Sequence, residues 1–257
     1  MTSATAALEP PSTALLLMEG RALPELAIFA ASLPVLMTAP MGDGHPVLVL
    51  PGLVASDVST KPLRAFLNNR GYAAYGWDLG RNFGPLPGIE KGMRERIQEL
   101  RKKHGRKVSL VGWSLGGIYA RQLAKMLPDD IRCVITLGSP FQGSPRATNA
   151  WKVYEFASGH KVDDRDRHMG GAISAPAPVP STAIFTRTDG VCAWQNCREV
   201  ESPIAENIEV EGSHCGLGHN PAAVFAVADR LAQPEGQWRK FDRTGFRRMF
   251  YPDPARV

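Results

Sequence analysis

Short apolar runs alternate with longer stretches of helical spacing from His45 onward. Six runs rich in branched side chains predict buried strands: "HPVLVLPG", "YAAYGWD", "KVSLVGW", "IRCVITLGSP", "STAIFTRTD" and "ENIEVEG". Between or after them, four stretches bounded by glycine or proline predict helices: "STKPLRAFLNNRGY", "GIEKGMRERIQELRKKHG", "LGGIYARQLAKMLP" and "NPAAVFAVADRLAQ". Strands separated by helices require right-handed crossovers. The pattern therefore predicts an α/β protein with a mainly parallel sheet and helices on both faces.

Residues 1–44 precede the predicted α/β core. We predict that this segment is helical and packs on the core. An apolar stretch runs from Ala14 to Met37, but charges and prolines interrupt it at Glu19, Arg21, Pro24, Glu25 and Pro34. These interruptions argue against a membrane span, which needs about 20 consecutive apolar residues. We expect one or two amphipathic helices, and weak peripheral contact with a membrane is the minority alternative.

A second segment, residues 143–180, interrupts the alternation after the strand "IRCVITLG" and ends in the proline-rich "APAPVP". It carries Trp151, Tyr154 and Phe156 within one helical stretch. We predict a small helical cap over the site, in a single domain whose core comprises residues 45–142 and 181–257. The alternative is a surface excursion whose aromatic side chains dock onto the core.

Composition narrows the class of protein. With 257 residues, 44% of them hydrophobic and 21% charged, the chain is long enough for one large α/β domain with a sizeable core. The net charge of +5 is small, and "MRERIQELRKKHGRK" is typical of a solvated helix face, so no nucleic-acid partner is predicted. No secretory leader pattern is evident, and a cytoplasmic location is expected.

The four cysteines predict no zinc site, because Cys192-x4-Cys197 does not have the usual ligand spacing. Free thiols are expected, and a small disulfide loop between Cys192 and Cys197 stays open as the alternative.

Candidate chemistry begins with "KVSLVGWSLGG", in which Ser114 stands between Gly112 and Gly116 after a strand and before a helix. A Gly-x-Ser-x-Gly turn in this context exposes a nucleophile on strained backbone, and the glycines let strand and helix approach closely. The helix N-terminus points at the reacting centre, where its amides favour developing negative charge. We therefore predict that Ser114 is a nucleophile.

Such a serine needs an acid and a histidine later in the chain. Among the acids, Asp189 stands at the carboxyl end of a strand; the others follow a helix (Asp129, Asp130) or lie in the insertion (Asp163, Asp164, Asp166). The histidine candidates after the last strand are His214 and His219, and His214 is closer to the strand end. The remaining histidines precede the serine (His45, His104) or lie in the insertion (His160, His168). We predict Asp189 as the acid that orients His214, the base.

The oxyanion site requires two backbone amides. One belongs to the residue after the nucleophile, Leu115, and the other to a turn after an early strand, for which Leu53 in "PGLVAS" is the candidate. Trp113, Trp151 and Tyr154 are predicted to line the substrate site.

Four ordered motifs, "VLVLPGLVASDVST", "GWSLGG", "TRTDGV" and "GSHCGLGHNP", resemble the α/β-hydrolase superfamily from about His45 to Ala232. Within it they are most similar to lipase-like bacterial serine esterases. The resemblance implies the α/β-hydrolase fold, a triad of Ser114, Asp189 and His214, and an oxyanion amide at Leu53. One departure is Pro51-Gly52, where lipases usually have His-Gly; the amide of Leu53 survives it, but a long-chain lipase assignment is less well supported.

We therefore predict a serine hydrolase that cleaves carboxylic esters with an apolar acyl or alcohol group, with no cofactor and no metal. The partner would be a small-molecule or lipid-like ester. Two alternatives remain: an acyltransferase or thioesterase on the same triad, and a non-catalytic binding protein with a hydrolase fold.

Overall fold

The computed structural model describes residues 8–167 and 171–256, and the backbone alone at residues 165–167. His168, one of the histidines considered above, lies outside the described residues. Six strands form one sheet: β1 (Pro46–Leu50), β2 (Ala73–Gly76), β3 (Val108–Trp113), β4 (Ile131–Leu137), β5 (Ser181–Phe185) and β6 (Ala205–Glu209). Every strand pairing is parallel, in the order β2-β1-β3-β4-β5-β6. The predicted parallel α/β sheet is confirmed.

Seven α-helices accompany the sheet in the described parts of the chain: α1 (Thr13–Leu17), α2 (Ala22–Leu36), α3 (Lys61–Asn69), α4 (Ile89–His104), α5 (Leu115–Met126), α6 (Trp151–Ser158) and α7 (Pro221–Leu231). Local sequence explains their ends. Helix α4 stops at Gly105, whose φ of 63° is a left-handed conformation that glycine adopts readily. Helix α7 begins with Pro221, and the Asn220 side chain accepts the Ala223 amide.

Helices cover both faces of the sheet, and two apolar layers form the core. One layer packs α2, α3 and α7 against the sheet, around Phe29, Leu67 and Val227. The other packs α4 and α5 against the opposite face, around Ile97 and Leu123, with Tyr154 of α6 at its margin. Strands covered on both faces carry almost only buried residues: every residue of β1, β5 and β6 is buried.

The carboxyl ends of all six strands meet at one edge, and the loops that leave this edge carry the candidate residues. Ser114 follows β3 directly, and its amide donates to the carbonyl oxygen of Leu137 at the end of β4 (2.8 Å). The Gly138 amide donates in turn to Ile184 of β5 (2.9 Å). Backbone hydrogen bonding thus joins the strand ends where parallel sheets bind ligands.

The described part of the N-terminal segment contains α1 and α2, with a 3₁₀ turn at Met18–Arg21 between them. The expected amphipathic character of α2 is wrong: only Phe29 and Leu36 of α2 are buried, and apolar residues occupy its exposed sides as well. From 13 to 38 the charged residues are Glu19, Arg21 and Glu25, and none of them is exposed. The outer surface of this segment carries the large apolar side chains of Leu16, Leu17, Met18, Leu23, Leu26, Ile28, Leu33, Val35 and Met37.

Among the described residues, no helix combines the length and apolar character that crossing a membrane would require.

The insertion at 143–180 contains α6 and a 3₁₀ turn at Val162–Arg167. It contacts the loop after β5, because the Asn149 side-chain amide donates to the Gly190 carbonyl oxygen (2.9 Å) and the Ala193 amide donates to that of Ala147 (2.9 Å). Phe156 points outward, 93% exposed, while Tyr154 is buried. That this segment caps the site stays a prediction.

Candidate active site

Ser114 occupies a strained turn between β3 and α5. Its φ of 53° and ψ of −119° lie where a residue with a Cβ is uncommon. The adjoining glycines have a steric reason: a Cβ on Gly116 would overlap the carbonyl oxygen of Leu50, and one on Gly112 would overlap the backbone of Gly116. Strand, turn and helix therefore approach closely here, and they hold a half-buried serine at the N-terminus of α5.

The turn after β1 lies beside this serine. A Cβ built on Gly52 would be 3.3 Å from the Cβ of Ser114. Leu53, the predicted oxyanion donor, follows Gly52, and Leu115 is the first residue of α5, whose first-turn amides have no acceptor within the helix. Both amides belong to backbone next to Ser114, as an oxyanion site requires.

A buried asparagine supports the turn that carries Leu53. Asn82, in the loop "GRNFGP", donates from its side-chain amide to the carbonyl oxygen of Pro51 (2.8 Å), and its own carbonyl oxygen accepts the amide of Val54 (2.6 Å). Val54 has a φ of 53°, a conformation that these contacts stabilise. Sequence reasoning noticed no role for Asn82, because its partners are backbone groups.

The structure brings Asp189 and His214 together. Asp189 follows β5 and His214 follows β6, and Oδ2 of Asp189 lies 2.7 Å from Nδ1 of His214. Oδ1 of Asp189 accepts the amides of Val191 (2.8 Å) and Cys192 (2.7 Å), so both carboxylate oxygens are bound. A Cβ on Gly138, at the end of the neighbouring β4, would be 3.0 Å from Nδ1 of His214.

Burial and charge oppose each other at His214. Burial alone lowers the pKa of an imidazole, but the carboxylate of Asp189 outweighs it and holds the pKa of His214 above its usual range. A carboxylate on Nδ1 also fixes the tautomer, so Nε2 is the nitrogen left to accept a proton.

His219 is engaged differently. Its Nε2 lies 2.9 Å from the carbonyl oxygen of Ala22 in the N-terminal segment, and its ring contacts Trp113 edge-on. Of the two histidines after the last strand, His214 is therefore the one whose geometry suits a base.

The three predicted substrate-lining residues have other contacts. The indole N–H of Trp113 donates to the carbonyl oxygen of His214 (3.0 Å). Tyr154 packs in the core, and Trp151 is half-buried with the Arg146 guanidinium 4.9 Å from its ring centroid. Their role in substrate binding stays a prediction.

The N-terminal segment also reaches the loops of Asp189 and His214, and sequence reasoning missed this. The buried carboxylate of Glu19 accepts the amides of Gly190 (2.8 Å), His214 (3.1 Å) and Cys215 (2.8 Å). One signal was available: three charges within a stretch of otherwise uncharged residues, 13 to 38, must either face water or find partners.

A second serine–histidine–aspartate chain lies at the opposite edge of the sheet. Nε2 of His45 is 2.9 Å from Oγ of Ser109, and Nδ1 of His45 is 2.5 Å from Oδ1 of Asp43. Ser109 and His45 are both fully buried, so no substrate can reach them. Burial lowers the pKa of His45 to about 4, which keeps the imidazole neutral in this polar network. We conclude that this hydrogen-bonded network stabilises the fold and takes no part in catalysis.

Ligand atoms for a metal come close together at one place in the described part of the chain: Asp189, Cys192 and His214 offer atoms within 4.8 Å of one another. Both oxygens of Asp189 are already bound to N–H groups or the imidazole. The contacts therefore favour a carboxylate that orients a histidine. All four cysteines are free thiols.

Comparison with known proteins supports this assignment of fold. Residues 90–164 match the model of the PGAP1-like alpha/beta domain. Serine hydrolase BPHL of Mus musculus is 29% identical over 110 residues, 38% of this chain and 38% of that protein, and its Homo sapiens counterpart is 30% identical over 109 residues. The chain thus matches less than two fifths of the length of these relatives.

Solved structures extend the likeness over most of the chain. Lipase B of Aspergillus fumigatus superposes with a TM-score of 0.55 at 16% identity, over 76% of this chain and 54% of that one. Lipase BlEst2 of Bacillus licheniformis in its propeptide form gives 0.55 at 20% identity, over 79% and 53%. Similarity at this level establishes the fold, with its parallel sheet and strand-to-helix serine turn. The chain therefore has the α/β-hydrolase fold.

Proposed function

We propose that this chain hydrolyses carboxylic esters through an acyl-enzyme on Ser114. The observation that carries the proposal is the 2.7 Å contact between Asp189 and His214, on the loops beside the strained turn of Ser114. Nucleophile, acid and base follow one another in the chain order of this fold.

In the proposed reaction, Nε2 of His214 takes the hydroxyl proton while Oγ of Ser114 bonds to the ester carbonyl carbon. The amides of Leu53 and Leu115 bind the oxyanion of the tetrahedral intermediate. His214 then returns the proton to the leaving alcohol as the C–O bond breaks. Water, deprotonated by the same histidine, then bonds to the acyl carbon; the bond from that carbon to Oγ of Ser114 breaks, the acid leaves, and Oγ takes the proton back from His214.

The substrate that we propose carries an apolar acyl or alcohol group. The supporting observation is the uncharged, apolar outer surface of residues 13–38, a segment that contacts the loops of both Asp189 and His214. A panel of p-nitrophenyl esters of increasing acyl length tests this, and dispersed lipid compared with soluble ester tests the predicted weak contact with membranes.

Loss of the nucleophile is the direct test of mechanism. Ser114→Ala is expected to abolish hydrolysis of a short p-nitrophenyl ester, and a fluorophosphonate probe should label wild type at Ser114 alone. Full activity in Ser114→Ala would refute the mechanism, and a wild type that neither reacts nor hydrolyses would indicate a binding protein. Added alcohols or thiols that become acylated would instead indicate an acyltransferase.

Two variants, assayed in parallel, test which histidine is the base. His214→Ala should lower kcat by several orders of magnitude, as loss of a triad member does. His219→Ala removes a hydrogen bond to Ala22 and should have a much smaller effect. The opposite ranking would transfer the role to His219.

A further inference from the structure

The carboxylate of Glu19 connects the two loops on which Asp189 and His214 stand. Oε1 accepts the amide of Gly190, the residue after Asp189, and also the amide of His214 itself. Oε2 accepts the amide of Cys215. One side chain therefore binds backbone directly next to both members of the acid–base pair.

Two further side chains of the same segment bind the same loops. Arg21 donates to the carbonyl oxygens of Thr188 and Gly212, each at 2.7 Å. Glu25 accepts the amide of Ser213 at 3.0 Å. The three anchors fall on residues 188–190 of one loop and residues 212–215 of the other, so the segment fixes the spacing between them.

Glu19 is suited to this task because it is buried and ionised. Only 8% of it is exposed, and a buried carboxylate is stable only when hydrogen bonds replace its water. Burial raises its pKa, but the amides of Cys215, Gly190 and His214 outweigh that effect and lower it. A glutamine would put an NH₂ group against at least one amide N–H, where two donors face each other.

We propose that Glu19 is a positioning residue of the candidate active site, whose carboxylate holds His214 within hydrogen-bonding distance of Asp189. This rests on the proposed function, in which His214 is the base. The charge has a second effect, because a negative group near His214 stabilises the imidazolium that forms during acyl transfer.

The effect on pH dependence has a definite sign. The groups that face His214 are Asp189 and Cys192 from the loop after β5, Cys215 beside it, and Glu19 from the N-terminal segment. Glu19 raises the pKa of His214, so its neutralisation should lower that pKa. The base then becomes neutral at lower pH, and the acidic limb of kcat/KM moves to lower pH.

Glu19→Gln tests the proposal, with Glu9→Gln as the matched control, since Glu9 is an exposed glutamate of the same N-terminal region. With the full chain and p-nitrophenyl butyrate, Glu19→Gln is expected to lower kcat about tenfold to a hundredfold while KM changes little. Its acidic limb should shift to lower pH, and the low-field proton resonance of the His214–Asp189 hydrogen bond should weaken. Glu9→Gln should match wild type in all three.

A folded Glu19→Gln protein with the kcat, acidic limb and resonance of wild type would overturn the proposal. If that variant does not fold, Glu19→Asp decides. It keeps the charge on a side chain one methylene shorter, so a weakened resonance with an unshifted acidic limb supports positioning, and an unchanged resonance and kcat overturn it. The resonance needs no substrate, so it tests Glu19 even if wild type proves inactive on esters.

Discussion

The indole of Trp113 donates a 3.0 Å hydrogen bond to the carbonyl oxygen of His214, so the residue before the candidate nucleophile holds the loop of the candidate base. Trp113 ends β3, and its ring also fills the space over Gly218, where a Cβ would lie 2.5 Å from it. The side chain therefore couples the turn of Ser114 to the loop of His214, through one hydrogen bond and one close packing contact.

Trp113→Phe should separate these two contributions, because phenylalanine keeps an apolar ring and loses the donor. The unpaired carbonyl of His214 should cost about 1–3 kcal/mol of unfolding free energy. Under the proposed function, kcat should also fall, because His214 is held less firmly. Urea denaturation and ester hydrolysis measure both, with Trp238→Phe in the C-terminal region as control. Equal behaviour of the two variants would contradict a coupling role for Trp113.

The backbone strain at Ser114 predicts that Ser114→Gly is more stable than Ser114→Ala. Ser114→Gly removes the Cβ that makes the positive φ unfavourable, whereas Ser114→Ala keeps it. Relief of this strain should stabilise the folded state by about 1–3 kcal/mol. After the entropic cost of glycine is subtracted, Ser114→Gly should be more stable than Ser114→Ala by about 1 kcal/mol. Denaturation of both variants checks this. At Ser59, whose φ is not positive, the same pair should show no advantage for glycine. An alanine variant at 114 as stable as the glycine one would mean that the turn stores no strain.

His45 predicts a loss of stability in acid. Its pKa is lowered to about 4 in the folded chain by burial, while an unfolded imidazole titrates near 6.5. The unfolded state therefore binds more protons between these values, and stability that is complete above pH 6.5 falls as the pH drops towards 4, by up to about 3 kcal/mol.

Urea denaturation between pH 4.5 and 7.5 measures this slope. His45→Gln removes the titrating group and should flatten the curve. Identical slopes in wild type and His45→Gln would show that other groups control acid unfolding. His45→Gln should also leave fluorophosphonate labelling at Ser114, because its network lies at the other edge of the sheet.

Asn82→Ala should destabilise the turn after β1 that carries Leu53, because it removes a hydrogen bond to that turn. It leaves the carbonyl oxygen of buried Pro51 without its donor, at a cost of about 1–3 kcal/mol in stability. If Leu53 binds the oxyanion, kcat should fall more than KM rises, since that contact strengthens only in the transition state. Steady-state kinetics decide, with exposed Asn69→Ala as control. A pure rise in KM would argue that Asn82 shapes substrate binding instead.

The sequence predicted the features that local pattern and chain order encode. Alternating apolar runs indicated the six strands, and strand-end position selected Asp189 over five other acids and His214 over His219; their 2.7 Å contact agrees with that choice. Glu19 and Asn82 escaped detection because their partners are backbone amides and carbonyls, which every residue has. The amphipathic expectation for α2 failed because its apolar residues follow no helical period.

Because the chain is synthesised from its N-terminus, the contacts of Glu19 form long after Glu19 itself has been made. Glu19 is made about 170 residues before Gly190 and about 195 before His214 and Cys215. While the nascent chain grows, this carboxylate has none of these amides to bind, and contacts so distant in sequence form late in folding. If Glu19 positions His214 as proposed, the pairing of Asp189 with His214 can become fixed only after Cys215 has left the ribosome, and a shorter nascent chain cannot hydrolyse esters.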